Sequence, residues 1–413
     1  MLGVLAAGGA TGAPSTTLQP ALDFKLANTQ PCEGVVDNFF NATELPDRAA
    51  WRQAIHDAQN PPDCSKAKLC KCGNAKFGQT FSELHATAAC LLRSVLMGCT
   101  LIEEPVPYKE KSFTEECMQT HGLHACYMMK LSRCSSADAA DGAESLHEVD
   151  NHQGREQLLT ACGQAQDRWG VPGALACFGD IVSYVMRPSR RLANAVHSLT
   201  ETLKLGDCDG RTPLEQTVAV HLRYGDKPST LHTERETVAH AALAHSHART
   251  LGLKAVHFMS DSFDARKPFA DHLRAQDSGL LVRSVPEKMQ VFTGDTDKKA
   301  DEQIRAAGHV TDQHLLVLAE VYLMAQSAVL VGPQVSNVDR TIAELMVNMH
   351  PRPIIDDVYH DAWTPGMSHE THNGNAWNLG SLFPDAFNAH FSLTHDHVDG
   401  VKDGFDSYGP VRR

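Results

Sequence analysis

From Gln216 to Met349 the chain alternates short apolar runs with longer periodic ones. Gln216–Leu222, Ala255–Ser260, Leu280–Val285 and Ala328–Gly332 are short runs rich in Val, Leu and Ala, bounded by polar or Gly-containing stretches. They predict buried strands. Glu236–Leu251, His314–Gln326 and Val338–Met349 carry apolar residues three and four apart and predict helices. Strands alternating with helices specify a parallel, doubly wound sheet. The first half reads differently. Trp51–Asn60 has helical spacing and stops at Pro61-Pro62, which cannot continue a helix. Phe81–Met97 predicts a second helix, with a strand beginning at Leu101 and Ile102. Ile181–Met186 and Leu192–Leu205 read as helical, separated at Pro188. Residues 134–150 read as a polar surface loop and residues 1–26 as disordered.

The expected organisation is a leader or linker over 1–26 and an amino-terminal α/β domain over 27–208. A Rossmann-like domain over 209–375 and a carboxyl extension over 376–413 follow. The 413 residues suit about two domains of ~100–200 residues each. A net charge of −13 argues against a nucleic-acid binder, which needs a basic face. No run approaches the ~18 apolar residues that span a bilayer. The opening residues, MLGVLAAGGATGA, lack a basic segment and make a poor signal peptide, leaving a truncated anchor or a disordered tail.

All 12 cysteines lie between Cys32 and Cys208, so residues 209–413 have none. An even count crowded into one half suggests disulfides made in a secretory lumen. Zinc-finger spacing is absent, although buried thiols in a cytosolic protein fit the count as well. Asn41-Ala42-Thr43 is a glycosylation sequon, which also fits a lumen.

The chemistry concentrates after the first carboxyl-half strand. Val218–Lys227 runs from a buried strand into His221, Arg223, Asp226 and Lys227. Cations at the carboxyl edge of a parallel sheet suit an anionic ligand: Arg offers a bidentate fork to phosphate and Lys a point charge. Val329–Arg340 reads as strand, Gly-Pro turn and helix, with Ser336 at the N-cap position and Asn337 beside it. A helix N-terminus with a hydroxyl favours an anion. Asp261 closes another strand, where it caps the next helix or accepts from a base or ribose. Glu320 lies on an apolar helix, where a carboxylate is rarely buried without a partner. Asp295-Thr296-Asp297 resembles a metal-binding DxD but sits among Gly294, Lys298 and Lys299, as in a solvated loop. The His pairs at 245/247, 369/372 and 395/397 lack companion acids or thiols. No GxGxxG, Walker lysine loop or GxSxG elbow is present.

Several segments, in order, resemble the core α1,6-fucosyltransferase family. They are Gln59–Lys68, Cys177–Pro188, His221–Lys227, Phe258–Asp261, Asp312–Met346, Ile354–Tyr359 and His397–Gly400. The resemblance runs from about Trp51 to about Gly404. It implies a GT-B-like α/β fold: a disulfide-bearing amino-terminal α/β domain and a carboxyl Rossmann-like domain holding GDP-fucose without a metal. Carried over by position, Arg223 binds the β-phosphate, His221 lies against guanine, and Asp226 and Lys227 support the phosphate and acceptor side. Asp261 and Glu320 touch the nucleoside, Ser336 bonds a phosphate oxygen, and Asp356, Asp357 and His397 contact the glycan. The same resemblance pairs Cys64 with Cys117, and Cys90 with Cys70 or Cys72.

The departures are specific. The family's general-base glutamate falls on Leu231 here, leaving Glu234, Glu236 or Asp226 to take the role. The second Arg of the family motif is Tyr224. Two cysteines flanking the family's Ser loop are Gly332 and Asp339. By the resemblance, the carboxyl SH3-like domain is expected to be reduced to a remnant, and the family's amino-terminal anchor and coiled coil are expected to be missing from this stretch. Two functions follow. One is an inverting fucosyltransferase acting on a glycan acceptor, with the GlcNAc of an N-glycan core as the expected site. The other is a silent relative that binds nucleotide sugar or glycan, or serves as a structural subunit. The expected partners are a nucleotide sugar and a glycan or glycoprotein, with no nucleic acid, and a homodimer or larger assembly is left open. The expected compartment is the secretory lumen, in the Golgi or beyond it.

Overall fold

The structure is a computed structural model. It describes residues 45–72, 80–103, 124–146, 154–222, 234–289, 310–349 and 354–357, less the short stretches 125, 140–141, 207–209, 262–264 and 333–335. The chain is an α/β protein with two parallel sheets. In the amino half, β1 (Leu69–Cys72), β2 (Thr100–Ile102) and β3 (Glu144–Leu146) form a sheet of order β2-β1-β3. Against it pack α1 (Ala49–Gln59) and α2 (Thr80–Met97); α3 (Gly154–Trp169) and α4 (Gly173–Val185) pack in turn on α2, and α5 (Arg190–Leu203) packs on residues Val310–Met324 of the carboxyl half. In the carboxyl half, β4 (Thr217–Leu222), β5 (Ala255–Ser260), β6 (Leu281–Arg283), β7 (Val329–Gly332) and β8 (Ile354–Asp357) form a sheet of order β6-β5-β4-β7-β8. Its helices are α6 (Glu234–Leu251), α7 (Arg266–Gln276), α8 (Val310–Met324) and α9 (Asn337–Met349).

The central strands are buried along their whole length because helices cover both faces. Side chains alternate between those faces. Val218, Val220, Leu222, Val256, Phe258, Val329 and Val331 share one core with residues of α6 and α7. Phe258 stacks on Phe269 with ring centroids 4.1 Å apart. Ala219, Met259 and Leu330 face the other way and join a second core with α8 and α9. By the same alternation His221 and His257 lie on this second face.

That second core runs without interruption from Trp51 to Val347. It therefore crosses the sequence boundary expected at residue 208. Helix α9 belongs to the carboxyl sheet but crosses α4 of the amino half, and the approach is close because position 179 is glycine. A Cβ there would lie 2.4 Å from Val347 Cγ2 and 2.7 Å from the Glu344 carbonyl oxygen. Buried polar groups bind the same seam. Arg52 Nε donates to Asp180 Oδ1 at 2.7 Å, and Arg52 Nη2 to Asn348 Oδ1 at 2.6 Å. Arg48 Nη2 donates to the Val347 carbonyl at 2.6 Å. Asn348 Nδ2 donates to the Gly179 carbonyl at 2.8 Å and also to Ser183 Oγ.

Several elements escape the sequence pattern. Residues 134–150 hold β3, whose inclusion rests on parallel pairing with β1 rather than on any apolar run. Helix α7 is mostly polar and buries only Phe269 and Leu273, one turn apart. Its Pro268 is tolerated because the first turn has no hydrogen bonds to lose. The segment Ile181–Met186 is the end of a longer helix, α4, that begins at Gly173.

The disulfides are Cys64–Cys134, Cys70–Cys99 and Cys72–Cys90, and Cys126 is also bridged. The expected Cys64–Cys117 pair is thus corrected. The Arg133 amide donates to the Gln59 carbonyl at 3.1 Å, which brings Cys134 back beside the turn that carries Cys64. Of the two partners open to Cys90, the strand register presents Cys72, while Cys70 reaches Cys99 just before β2. Cys162 and Cys177 are buried free thiols. Cys117 and the Asn41 sequon lie outside the described residues.

Two outcomes follow. Non-reducing peptide mass mapping should recover Cys64–Cys134, Cys70–Cys99 and Cys72–Cys90, and a Cys64–Cys117 peptide would refute this arrangement. Gly179→Ala should lower stability by ~1–3 kcal/mol through overpacking against α9. A urea midpoint equal to the parent's would show that the helices do not meet this closely.

Candidate functional site at the carboxyl edge of the five-stranded sheet

The chain lays down β4, then β5 and β6 on one side, and returns to place β7 and β8 on the other. The winding direction reverses between β4 and β7. In open parallel sheets the ligand crevice forms outside the carboxyl ends of the strands at such a point. His221, the penultimate residue of β4, Gly332, the last of β7, and the start of α9 meet there. Arg223 is the next residue but one after His221 in the chain, directly following the end of β4.

Helix α9 opens on Ser336, which is 1% exposed. Its hydroxyl accepts from the Val338 amide at 3.2 Å, and its carbonyl accepts from the Arg340 amide at 3.1 Å. Asp339, in the first turn, is favoured there by the helix dipole. Its side chain is fully buried, and Oδ2 accepts from His221 Nδ1 at 2.6 Å. Glycine at 332 permits this: a Cβ would stand 2.1 Å from Asp339 Oδ1 and 3.2 Å from the His221 carbonyl oxygen. The two positions where the resembled family has cysteines are therefore adjacent in space, and the Asp339 carboxylate occupies the room between them.

The start of α2 meets α9 beside this crevice. Asn337 Nδ2 donates to Ser82 Oγ at 2.6 Å. One turn along, His85 Nε2 lies 2.8 Å from Glu344 Oε2, while its Nδ1 donates to the Phe81 carbonyl at 2.7 Å. Both ring nitrogens thus face oxygen acceptors. Burial pulls the Arg340 guanidinium down to about 10, against the opposing charge of Glu344 one turn away. In the first turn of α2, burial pushes the Glu83 carboxyl up to about 7.

Glu320 lies below the crevice rather than on its rim. Its carboxylate stands 3.7 Å from His257 Nε2, in the middle of β5 and three residues before Ser260. This is ion-pair range without a hydrogen bond. Both His257 nitrogens and Glu320 Oε1 are buried and make no hydrogen bond among the described residues. Asp261 follows β5 and is half-buried. Glu234 is the first residue of α6, and Asp356 and Asp357 end β8, with Asp357 in register with Gly332. Arg223, Asp226, Lys227, Leu231 and His397, with Asp295 and Asp297, lie outside the described residues. The crevice as described thus gathers His221, Ser336 and Asn337, and adds Asp339, which sequence reasoning noted only as a replaced cysteine. No group of three or more His, Cys, Asp or Glu suited to a metal occurs among the described residues.

No protein-family model matches the sequence, and no curated protein does either. Among solved structures the chain is similar to a mutant of Arabidopsis thaliana FUT1 in complex with GDP. The identity is 13% and the TM-score 0.41, over 80% of this chain and 81% of that one. It is also similar to POFUT1 in complex with GDP, at 12% identity and a TM-score of 0.36, over 71% of this chain and 99% of that one. Likenesses at these TM-scores establish neither a family nor an activity.

The Glu83 environment has a measurable consequence. Its folded value of about 7 exceeds the ordinary 4.5, so the native state holds this proton more tightly than the unfolded chain does. The residue's contribution to stability is therefore most favourable below about pH 4.5 and declines as pH rises through about 7. Glu83→Gln should match the parent's melting temperature in acid and exceed it at roughly pH 8. An equal melting temperature at both pH values would place Glu83 in solvent.

Proposed function

We propose that the protein is a metal-independent, inverting glycosyltransferase that moves fucose from GDP-fucose to a glycan acceptor, with the GlcNAc of an N-glycan core as the acceptor the sequence resemblance favours. The observation that carries this reading is the convergence at one switch point. The end of β4 leads in the sequence into Arg223, and the Ser336 end of α9 lies at the same edge of the sheet as that strand end. A nucleoside diphosphate needs these features: a guanidinium fork and a helix N-terminus for its phosphates.

In the proposed reaction the acceptor hydroxyl attacks the fucose anomeric carbon from the face opposite GDP. The carbon–oxygen bond to the β-phosphate breaks, GDP departs with the electron pair, and a carboxylate takes the hydroxyl proton. Arg223, Lys227 and the Ser336 helix terminus meet the negative charge that develops on GDP, which is the usual place for the largest catalytic contribution. Asp261 and Glu320 serve the nucleoside, and Asp356, Asp357 and His397 the glycan. Asp226, Glu234 and Glu236 are the candidates for the base. The GT-B-like arrangement, with donor in the carboxyl half and acceptor along the seam, follows from this reading. The disulfides fit an oxidising secretory compartment.

One observation favours a second reading. Leu231 stands where the resembled family carries its base, and a hydrocarbon cannot take a proton. A protein that binds nucleotide sugar or glycan without transfer would keep the phosphate site and lose only this group.

Calorimetry with GDP separates the possibilities. The parent should bind GDP, Arg223→Ala should lose that binding, and Arg223→Lys should restore it poorly, because an ammonium has no bidentate fork. Transfer should survive EDTA. Among Asp226→Asn, Glu234→Gln and Glu236→Gln, one should lower turnover by ~10²–10⁴-fold with GDP affinity unchanged. Full GDP affinity in Arg223→Ala would refute the donor site. GDP binding with neither transfer nor donor hydrolysis would establish the second reading.

A further inference from the structure

We infer that Cys162 and Cys177 form a dithiol–disulfide site that closes into a bridge joining α3 to α4. The inference is independent of the nucleotide-sugar reading and rests on how the two cysteines meet inside the amino half. Helices α3 and α4 are joined by Gly170, Val171 and Pro172, with positive φ at Gly170 and Gly173. So short a connection lays consecutive helices antiparallel, side by side. Cys162 lies about two turns before the end of α3, and Cys177 about one turn after the start of α4. On α3, Leu158, Ala161, Cys162 and Ala165 recur at helical spacing and enter the core that also holds Cys177. The two thiols are in hydrogen-bond contact with each other and are 1% and 0% exposed. Every other described cysteine is bridged. A bridge at 162–177 needs the sulfurs to close to ~2.05 Å, starting from side chains that already touch.

The same surroundings slow the closure. Burial pushes the Cys177 thiol well above its usual range, and the hydrogen bond with Cys162 and the charge of Asp180 add to this. Exchange needs a thiolate, so the native site reacts when α3 opens from α4 and water reaches the sulfurs. The oxidant is a small-molecule disulfide such as glutathione disulfide. One cysteine thiolate attacks it, forming a mixed disulfide and releasing one glutathione. The second cysteine thiolate attacks the protein sulfur of the mixed disulfide and releases the other glutathione. Two protein thiols are oxidised, one glutathione disulfide is reduced, and the two thiol protons end on the two glutathiones. The product fastens a crowded point of the fold. The Trp51 indole donates to the Cys177 carbonyl at 3.2 Å, and its ring lies 5.0 Å from that of Trp169 at the end of α3. Gly179 and Asp180, at the crossing with α9, follow within a turn of Cys177 on α4. The bridge therefore tethers α3 to the helix on which α9 is set.

The test uses the full chain with its other bridges intact. The protein is mapped as isolated and again after incubation with glutathione disulfide, at urea concentrations from zero to beyond the unfolding transition. Each sample is quenched in acid, alkylated after denaturation and digested without reduction for mass analysis. A Cys162–Cys177 peptide is expected, either in the isolated protein or after incubation, with the loss of two alkylatable thiols and no lasting glutathione adduct on either residue. Where it forms during incubation, its rate should rise with urea below the transition, as local opening becomes more frequent. Recovery of both residues alkylated after incubation, with Cys64–Cys134, Cys70–Cys99 and Cys72–Cys90 intact, would overturn the inference. So would a persistent glutathione adduct on Cys162 or Cys177, which would show that the second sulfur cannot reach the first. A link from either residue to a different cysteine, or a Cys162–Cys177 link formed only above the unfolding transition, would also overturn it, because the native contact would then not direct the pairing. None of these measurements needs a variant to fold.

Discussion

Two polar edges of α9 hold the molecule together. Asn337, Glu344 and Asn348 recur at helical spacing on one edge and meet Ser82, His85 and Arg52 of the amino half. Asp339 lies on the opposite side and meets His221 of β4. The helix is thus pinned to both halves by buried hydrogen bonds, and the glycine at 179 lets it approach closely enough to make them. Any displacement of α9 relative to α4 would break the Asn348 and Arg52 contacts and carry Ser336 away from the strand ends. The geometry of the crevice is therefore set by packing in a distant helix crossing.

Buried ion pairs are an expensive way to build such a seam. Taking Arg48, Arg52 and Asp180 out of water costs several kcal/mol per ion, and well-placed partners only roughly repay it. Apolar residues of similar size would often give equal stability. What the charged set supplies is register. Arg52 reaches both Asp180 on α4 and Asn348 on α9 through directional bonds, so a one-turn slip of α9 would strand a buried guanidinium. A smooth apolar interface sets no comparable penalty on slipping. The same logic applies at the crevice, where the Asp339–His221 bond fixes a ring that a purely apolar contact would leave free to turn.

The amino half shows a different economy. Its sheet has three short strands, β1 of four residues and β2 and β3 of three. So short a sheet gains little from its own ladder. Cys70–Cys99 and Cys72–Cys90 fasten β1 to the start of β2 and to α2, and Cys64–Cys134 closes the turn before β1. The bridges stand where hydrogen bonding is weakest. None is described in the carboxyl half, where the six-residue strands β4 and β5 are buried on both faces.

The sequence by itself determined β4, β5 and β7 of the carboxyl sheet, because they are fully buried and their apolar runs say so directly. It also determined that a cation, a hydroxyl and a helix start would follow strands in the order an anion site requires, since those are local features of Val218–Lys227 and Val329–Arg340. It did not determine β3 or α7, whose few apolar residues carry no period strong enough to mark them. Nor did it determine the partner of Cys64, because a disulfide depends on which loops return to the same place. The role of α9 was decided only by tertiary structure. Asp339, Arg340, Glu344 and Asn348 are polar positions of this helix to which the sequence alone assigns no partner. Periodicity reports where apolar residues lie, but it cannot tell a polar edge that faces water from one that faces another helix. Only the docking of α9 against α4, α2 and β4 turns those residues into a buried network, and with them His221 into an oriented group.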